Sequence, residues 1–458
     1  MGITNLAKTI KASCGDKIKL SLLASEPPGR TVIALDMNNV LMQAICSLRG
    51  SQEYHIRPII PANSVANTVL TCIKRAEEIN ITILPVFDGN SRHPSKEAVD
   101  GATRNRNGNL ASEQLSRLLS TPVPTTPEGL HAIQDSIAKL RKQTSRIDNH
   151  VRAHVMSVLK QKSVYFLVAP FEADHQIAYM CNMGLVDGVI STDGDFWALI
   201  NDPCVILAIS WSKMEGSICV GGNHKFKNID GVRSVHEIQK ESKQHIITRE
   251  YAILMACILG CDYYKGTPNV GIGRLATFVK ESGGSFSNLL KEIIDKYPTV
   301  DGVYKRMHFI FNHAPVFELQ PSITSTNVGD SREYNVTGNI VSMSGATFTS
   351  EYCKANLGWC PWELLDLPEG VNTLDIAEGK WFPAERISYN DSLPKHPCNN
   401  RNEELAFGAI LDFNHCQLEY YALPDVIRWM TLRGYQPRMN MNIYPLCRKI
   451  ISMPGVEP

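Results

Sequence analysis

The chain has no surplus of either charge. Its 46 Lys and Arg offset 46 Asp and Glu over 458 residues. That excludes a global basic field, so a nucleic-acid partner has to be met by local patches. Long hydrophobic runs are missing too: the longest, YAILMACILG at 251–260, is too short to cross a bilayer. No signal peptide is expected at the start, and MGITNL has Leu6 where a myristoylation signal needs Ser or Thr. No membrane partner is therefore expected. A paired-cysteine framework is also lacking. The 13 cysteines are an odd, irregularly spaced set, and Cys46, Cys72 and Cys257 sit inside apolar runs. Such thiols pack as small hydrophobes, which reads as a reducing compartment. There is no internal repeat and no long basic cluster of nuclear-signal type.

What is present is an ordinary globular composition, 43% hydrophobic and 20% charged, long enough for two or three domains. TVIALD (31–36) is a short β-branched apolar run ending in an acid, followed by helical spacing in NNVLMQAICSL. Residues 64–80 place Val65, Val69, Ile73 and Ala76 on one helical face, and ITILPVFD (81–88) is again apolar and again ends in an acid. Strand, helix, strand predicts α/β structure on a parallel sheet. A polar stretch, 89–162, follows. It has helical segments around the break STPVPTTPEG (120–129). The rhythm then resumes: SVYFLVAP as a strand, FEADHQIAYMCNMG as a helix closed by Gly184, then LVDGVIST and CVILAIS as strands. From 248 the chain reads as helical. Residues 320–350, rich in Ser, Thr, Asn and Gly, read as a long loop.

In an open parallel sheet, ligands bind at the carboxyl ends of the strands. Acids stand there repeatedly. Asp36 and Asp88 follow the first two strands, Glu172 and Asp174 open the helix after the third, and Asp193 and Asp195 follow the fourth. Asp262 comes after the helical run ACILGC. Taken singly, Asp36 or Asp88 reads as well as a helix N-cap. Glu172 reads as a partner of a helix dipole, and Asp193-Gly-Asp195 as a turn. Six carboxylates at one edge repel one another unless cations offset them. Oxygen donors without a matching His/Cys set select Mg²⁺ or Mn²⁺. So many acids point to two ions, about 4 Å apart, clamping a phosphodiester.

These segments resemble the flap endonuclease/XPG family of structure-specific 5′ nucleases. MGITNLAKTI, ALDMNNVL, PVFDG, APFEADHQIAYM, STDGDFWAL and GCDYYKGTPNVGIGRLA stand in the family's order, from residue 1 to about 300. The resemblance implies a PIN-like parallel-sheet nuclease core with a helical arch and a helix-two-turn-helix, plus a C-terminal region of unclear class. The implied organisation is an N-terminal part of the core at 1–107, the arch at 108–162, an internal part of the core at 163–247, the helix-two-turn-helix at 248–300 and a C-terminal region at 301–458. It implies that Asp36, Asp88, Glu172, Asp174, Asp193, Asp195 and Asp262 bind two Mg²⁺ ions, with Mn²⁺ as a substitute. Asp174 stands where the family has Glu, a shorter reach that a water would bridge. Lys96 and Arg104, with Asp100 and Gly101 between them, resemble the basic pair at the base of the arch that reaches the scissile phosphate; the alternative is solvated surface charge. The basic second half of the arch (Arg141, Lys142, Arg146, Arg152, Lys160, Lys162) reads equally as a solvated face. Gly2 is implied near the site. Gly271 and Gly273 are implied to let backbone N–H groups grip duplex DNA, with K⁺ nearby.

The implied partner is DNA with a single-strand/duplex junction, with RNA left open, and the implied location is the nucleus. Residues 423–436 faintly resemble a SAP-type helix pair within a possible module near 420–455; an amphipathic helix ending at Gly434 explains them as well. Cys353, Cys360, His396, Cys398, His415 and Cys416 match no standard zinc spacing, and no sliding-clamp peptide is evident. A non-catalytic XPG-like scaffold or RNA-associated protein is the rival, although such relatives typically lose acids. A phosphatase using a D-x-D pair would leave Asp88, Glu172 and Asp262 unexplained.

Overall fold

The computed structural model describes residues 3, 6, 17–24, 31–46, 59–89, 96–120, 126–144, 147, 149–220, 233–234, 248–282, 285–321, 334–344, 354 and 372–379. The zinc-ligand candidates, the SAP-like stretch and Gly2 fall outside them. The strands are β1 (Ile18–Lys19), β2 (Thr31–Asp36), β3 (Ile81–Phe87), β4 (Leu167–Val168), β5 (Gly188–Ile190), β6 (Cys204–Ser210), β7 (Glu215–Val220), β8 (Arg233–Ser234), β9 (Pro315–Pro321) and β10 (Tyr334–Ser342). The helices are α1 (Met37–Cys46), α2 (Ile59–Glu77), α3 (Ala102–Ser120), α4 (Pro127–Thr144), α5 (Asn149–Gln161), α6 (Ala173–Asn182), α7 (Phe196–Leu199), α8 (Arg249–Leu259), α9 (Ile272–Glu281), α10 (Phe286–Lys296), α11 (Thr299–His313) and α12 (Thr373–Ala377).

The main sheet has the order β1-β7-β6-β5-β2-β3-β4, with β8 also on β7. From β6 through β4 every pairing is parallel; β7 is antiparallel to β6, and β1 to β7. The fold is thus the expected α/β class, with a mostly parallel sheet. Every residue of β2 is buried, as a strand covered on both faces requires. On α2 the expected stripe is buried at Val69, Ile73 and Ala76.

The chain divides into two units. One comprises Met1–Val40, Ala66–Ala102 and Met156–Pro383; the other comprises Leu41–Val65, Thr103–Val155 and Ala384–Pro458. The first contains the sheet and a helical cluster in which Leu254 and Ile258 of α8 meet Leu275 and Phe278 of α9, Leu289 and Ile293 of α10 and Val300 of α11. In the second, Leu115 of α3 and Ile137 of α4 form a small apolar seam with Leu118, Ile133 and Leu140. α4 begins at Pro127, whose missing N–H costs nothing in a first helical turn.

Four expectations are corrected. The strand expected from SVYFLVAP shrinks to Leu167–Val168. The break expected at 120–129 is shorter, because α4 already begins at Pro127, and the helical part after it is divided between α4 and α5. The segment read as a long loop at 320–350 contains β10, paired antiparallel with β9. Its register shifts between Val336 and Ile340, around Gly338 at φ +82°. A glycine takes this left-handed conformation at no steric cost, and the same glycine and asparagines make the strand look like a loop. Finally, Cys219 is disulfide-bonded, which departs from the reducing compartment read from the irregular cysteine spacing. Cys72 and Cys257 are free and buried, as expected.

β9 is fastened to the main fold through its backbone. Buried Gln176 of α6 donates to the Phe317 carbonyl (3.1 Å) and accepts from the Phe317 N–H (2.7 Å).

Candidate metal centre

Parallel register decides where the acids emerge. Asp36 is level with Val86, Phe87 with Val168 and Leu35 with Ile190. The chain therefore leaves β2, β3, β4 and β5 on one edge of the sheet. β3 lies on one side of β2 and β5 on the other, which makes this edge a topological switch point.

Each acid has a distinct local setting. Asp36 is buried; its Oδ2 accepts the Ser191 hydroxyl (2.8 Å) and its Oδ1 the Asn39 N–H (3.2 Å). The second bond is an N-cap to α1, so the capping reading holds for one oxygen of Asp36. Asp88 accepts the Ala173 N–H (2.8 Å) with Oδ1 and the Asn38 side-chain amide with Oδ2. It thereby satisfies the first turn of α6. Gly89 follows it because a side chain there would run into the carbonyls of Ala169 and Pro170. Glu172 occupies the N-cap position of α6 but caps nothing with its side chain. It points instead to Lys96, Oε2 to Nζ 2.7 Å.

Asp193 accepts the Asp195 N–H (3.0 Å) and donates its own N–H to the Ser191 hydroxyl (3.1 Å). The turn reading is therefore correct for the backbone of this loop. It leaves Asp195 unexplained, since that side chain is 2% exposed and its Oδ1 has no hydrogen-bond partner. Phe196 and Trp197, fully buried, form the one-turn helix α7. Asp262 sits at the tip of a tight turn closed by Cys261 and Tyr264 (N to O 2.8 and 3.3 Å). Gly260 and Gly266, at φ +92° and +91°, let the two ends of that turn touch backbone to backbone.

Lys96 reaches into this group, 2.7 Å from Glu172 and 3.6 Å from Asp262, with its ammonium 5.7 Å from the centre of the Tyr263 ring. Burial opposes its charge, yet Glu172, Tyr263, Asp174 and Asp262 hold it well above the usual lysine range. Tyr263 in turn meets buried His175, hydroxyl to Nε2 3.4 Å. Arg104 is a residue of α3, where only its backbone is described. Gly271 is the N-cap residue of α9 and Gly273 lies in its first turn. Both are exposed, and a Cβ on either would meet open space. Ser191, Asn38, Asn39, Tyr263 and His175 were not singled out by sequence reading; Tyr263 and His175 directly follow an assigned acid, and the other three lie two or three residues from one.

The electrostatics are those of crowded like charges. Burial, with Asp88 and Asp193 nearby, pushes the Asp36 carboxyl up to about 7 despite the Ser191 bond. Burial, Asp36 and Asp193 raise Asp174 well above the carboxylate range, with partial relief from Lys96. Burial, Asp193 and Asp262 do the same to Asp195. An all-oxygen acid set, three carboxyls disfavoured as anions and an orphaned Asp195 oxygen fit a hard divalent cation. Among the described residues no group of three or more His, Cys, Asp or Glu is already assembled to hold one ion.

Comparison with known proteins adds to this geometry. The XPG I-region family model matches residues 163–262, the span from before β4 to Asp262. Flap endonuclease 1 of Pyrobaculum arsenaticum is 27% identical over 339 residues, covering 72% of this chain and 86% of its own. Exonuclease 1 of Arabidopsis thaliana is 27% identical over 179 residues, 38% of this chain and 22% of its own. Among solved structures, the catalytic core of Rad2 in complex with DNA substrate aligns with a TM-score of 0.40 at 15% identity, covering 79% of this chain and 97% of that one.

Proposed function

We propose that this chain, a member of the flap endonuclease/XPG family, is a metal-dependent structure-specific nuclease. It hydrolyses DNA phosphodiesters near single-strand/duplex junctions with 5′ polarity and leaves a 5′-phosphate. The observation that carries this reading is the crowding of acids at one sheet edge, with Asp36 and Asp195 buried and Asp174 half-buried, where each resists ionisation and a cation would relieve the repulsion.

Asp36, Asp88, Glu172, Asp174, Asp193, Asp195 and Asp262 would hold two Mg²⁺ ions, with Mn²⁺ as a substitute. Bound there, the ions would supply positive charge to the attacking and leaving oxygens of the phosphodiester. The protein's own part is to keep the donors aimed. Ser191 and Asn39 fix Asp36, the first turn of α6 fixes Asp88, and the Asp195 N–H fixes the Asp193 carboxylate. Lys96, held protonated, would swing from Glu172 to the scissile phosphate, with Arg104 as its partner. Gly271 and Gly273 would admit the duplex backbone to the N-terminus of α9, with K⁺ beside it, and Gly2 would lie near the reacting strand. Action in the nucleus belongs to the same proposal.

The test is a labelled 5′-flap duplex with Mg²⁺, wild type against Asp193→Asn. Cleavage by the wild type alone supports the reading. A wild type that neither cuts nor binds Mn²⁺ overturns it, and tight RNA binding without cleavage would replace it with the scaffold reading.

A further inference from the structure

We infer that Arg249 is a positioning residue that ties the aim of Asp193 and Asp195 to the helical cluster formed by α8, α9, α10 and α11. The inference rests on the nuclease reading and concerns how its acid loop is held.

The loop and α7 move as one piece. Asp195 contributes its carbonyl to the first turn of α7, accepting from Ala198 (2.8 Å) and Leu199 (3.0 Å), and Gly194 accepts from Trp197 (3.3 Å). A tilt of α7 therefore carries the Asp195 backbone with it, and with it the carboxyl. A one-turn helix cannot hold itself, and its last carbonyls have no partner within the helix. Here they are taken from two sides. Asn182, at the far end of the same α6 that opens with Glu172 and Asp174, donates to the Leu199 carbonyl (3.1 Å) and accepts from the Asn201 N–H (2.9 Å). Arg249, the first residue of α8, supplies the other tie. Its Nε donates to the Ala198 carbonyl (2.7 Å), one terminal nitrogen to Asn201 Oδ1 (3.0 Å) and the other to the Phe311 carbonyl of α11 (2.9 Å).

One planar guanidinium thus joins three segments: α7 behind the acids, the turn after it, and the last turn of α11. Only a rigid fork makes all three bonds at once; a lysine ammonium is a point charge that reaches one or two of these acceptors. α11 packs in the same apolar cluster as α9, the helix that begins with Gly271 and Gly273. A displacement of that cluster has a hydrogen-bonded route to the acid loop through a single side chain.

The experiment is Arg249→Lys in the full chain, with folding checked by circular dichroism. Three quantities are measured: single-turnover cleavage of a 5′-flap duplex at saturating DNA, affinity for that duplex, and Mn²⁺ affinity by electron paramagnetic resonance. Loss of the fork is expected to slow single-turnover cleavage by about 100-fold, the scale of a small misplacement of catalytic groups. It is also expected to weaken Mn²⁺ binding while DNA affinity is kept. Asn201→Ala, which removes one arm, is expected to shift both readouts in the same direction by less, and decides the matter if the lysine variant does not fold. A folded variant with wild-type cleavage rate and Mn²⁺ affinity overturns the inference. So does weakened DNA affinity with a full rate at saturation, because Arg249 would then be acting on DNA. A wild type that binds Mn²⁺ but cuts nothing counts against the nuclease reading, while the Mn²⁺ comparison still decides this one.

Discussion

Replacing Asp36 by Asn should make the metal-free protein more stable and the enzyme inactive. Asp36 is buried, and its carboxyl is pushed up to about 7 against an ordinary value of 3.8, first by burial and then by Asp88 and Asp193. Below about pH 3.8 the group is protonated whether the chain is folded or not, so it imposes no penalty. Between 3.8 and 7 the folded state keeps a proton that the unfolded state releases, and stability falls as pH rises. Above 7 the penalty is level. At about 1.4 kcal/mol for each tenfold change in proton affinity, it reaches roughly 4 kcal/mol. Asparagine carries no charge at any pH, and its Oδ1 can still accept from Ser191 or Asn39. The assay is urea denaturation in EDTA at pH 4 and pH 8, with wild type and variant side by side so that titrating groups outside this cluster cancel; Asp174, which Asp36 helps to raise, shifts the gap in the same direction. The two should nearly coincide at pH 4, and Asp36→Asn should lead by up to about 4 kcal/mol at pH 8. Excess Mg²⁺ should close the gap by stabilising the wild type alone. A variant no more stable than wild type at pH 8 in EDTA would refute the claim that these acids carry uncompensated charge.

Lys96→Met should cost the metal-free protein about 3–5 kcal/mol in the same denaturation assay, because Glu172 and Asp262 lose the cation between them. It should also abolish or sharply slow cleavage. His175 is held down to about 3 by burial and by Lys96, so the folded state excludes a proton that the unfolded state takes below 6.5. Stability on that account is full above 6.5 and is lost as pH falls towards 3. His175→Gln should flatten the acid limb of the stability curve; an unchanged limb would mean that the ring is protonated when folded. Gly273→Ala fills open space and should raise helix stability by roughly 0.5–1 kcal/mol. If duplex backbone approaches α9 there, a filter-binding assay should still record weaker DNA binding.

The acids were legible because parallel strands write themselves plainly. TVIALD and ITILPVF are continuous apolar runs, so an Asp placed after each is conspicuous and must emerge at the same sheet edge. β7, in contrast, reads EGSICV, with Gly216 and Ser217 in place of a clean alternation. It forms a strand because β6 and β1 flank it, which no local pattern reports. The setting of Lys96 was equally hidden. Its partner Glu172 is 76 residues away, and only the fold brings a residue assigned to phosphate into an ion pair with an acid assigned to metal. Arg249 shows the same limit: three acceptors, two of them main-chain carbonyls, leave no trace in residue spacing.

The fastening of β9 by Gln176 has an evolutionary consequence. Both bonds go to the main chain of residue 317, so the amide reads no side chain on that strand. The hairpin's exposed positions can drift, and change whatever its surface presents, while the backbone bonds and the buried Val316 and Phe317 keep its seat on the acid-bearing helix. The tie is vulnerable at two points: the glutamine itself, and a proline at 317, which would take away the N–H. Sequence divergence in this part of the chain would therefore be a poor guide to structural divergence.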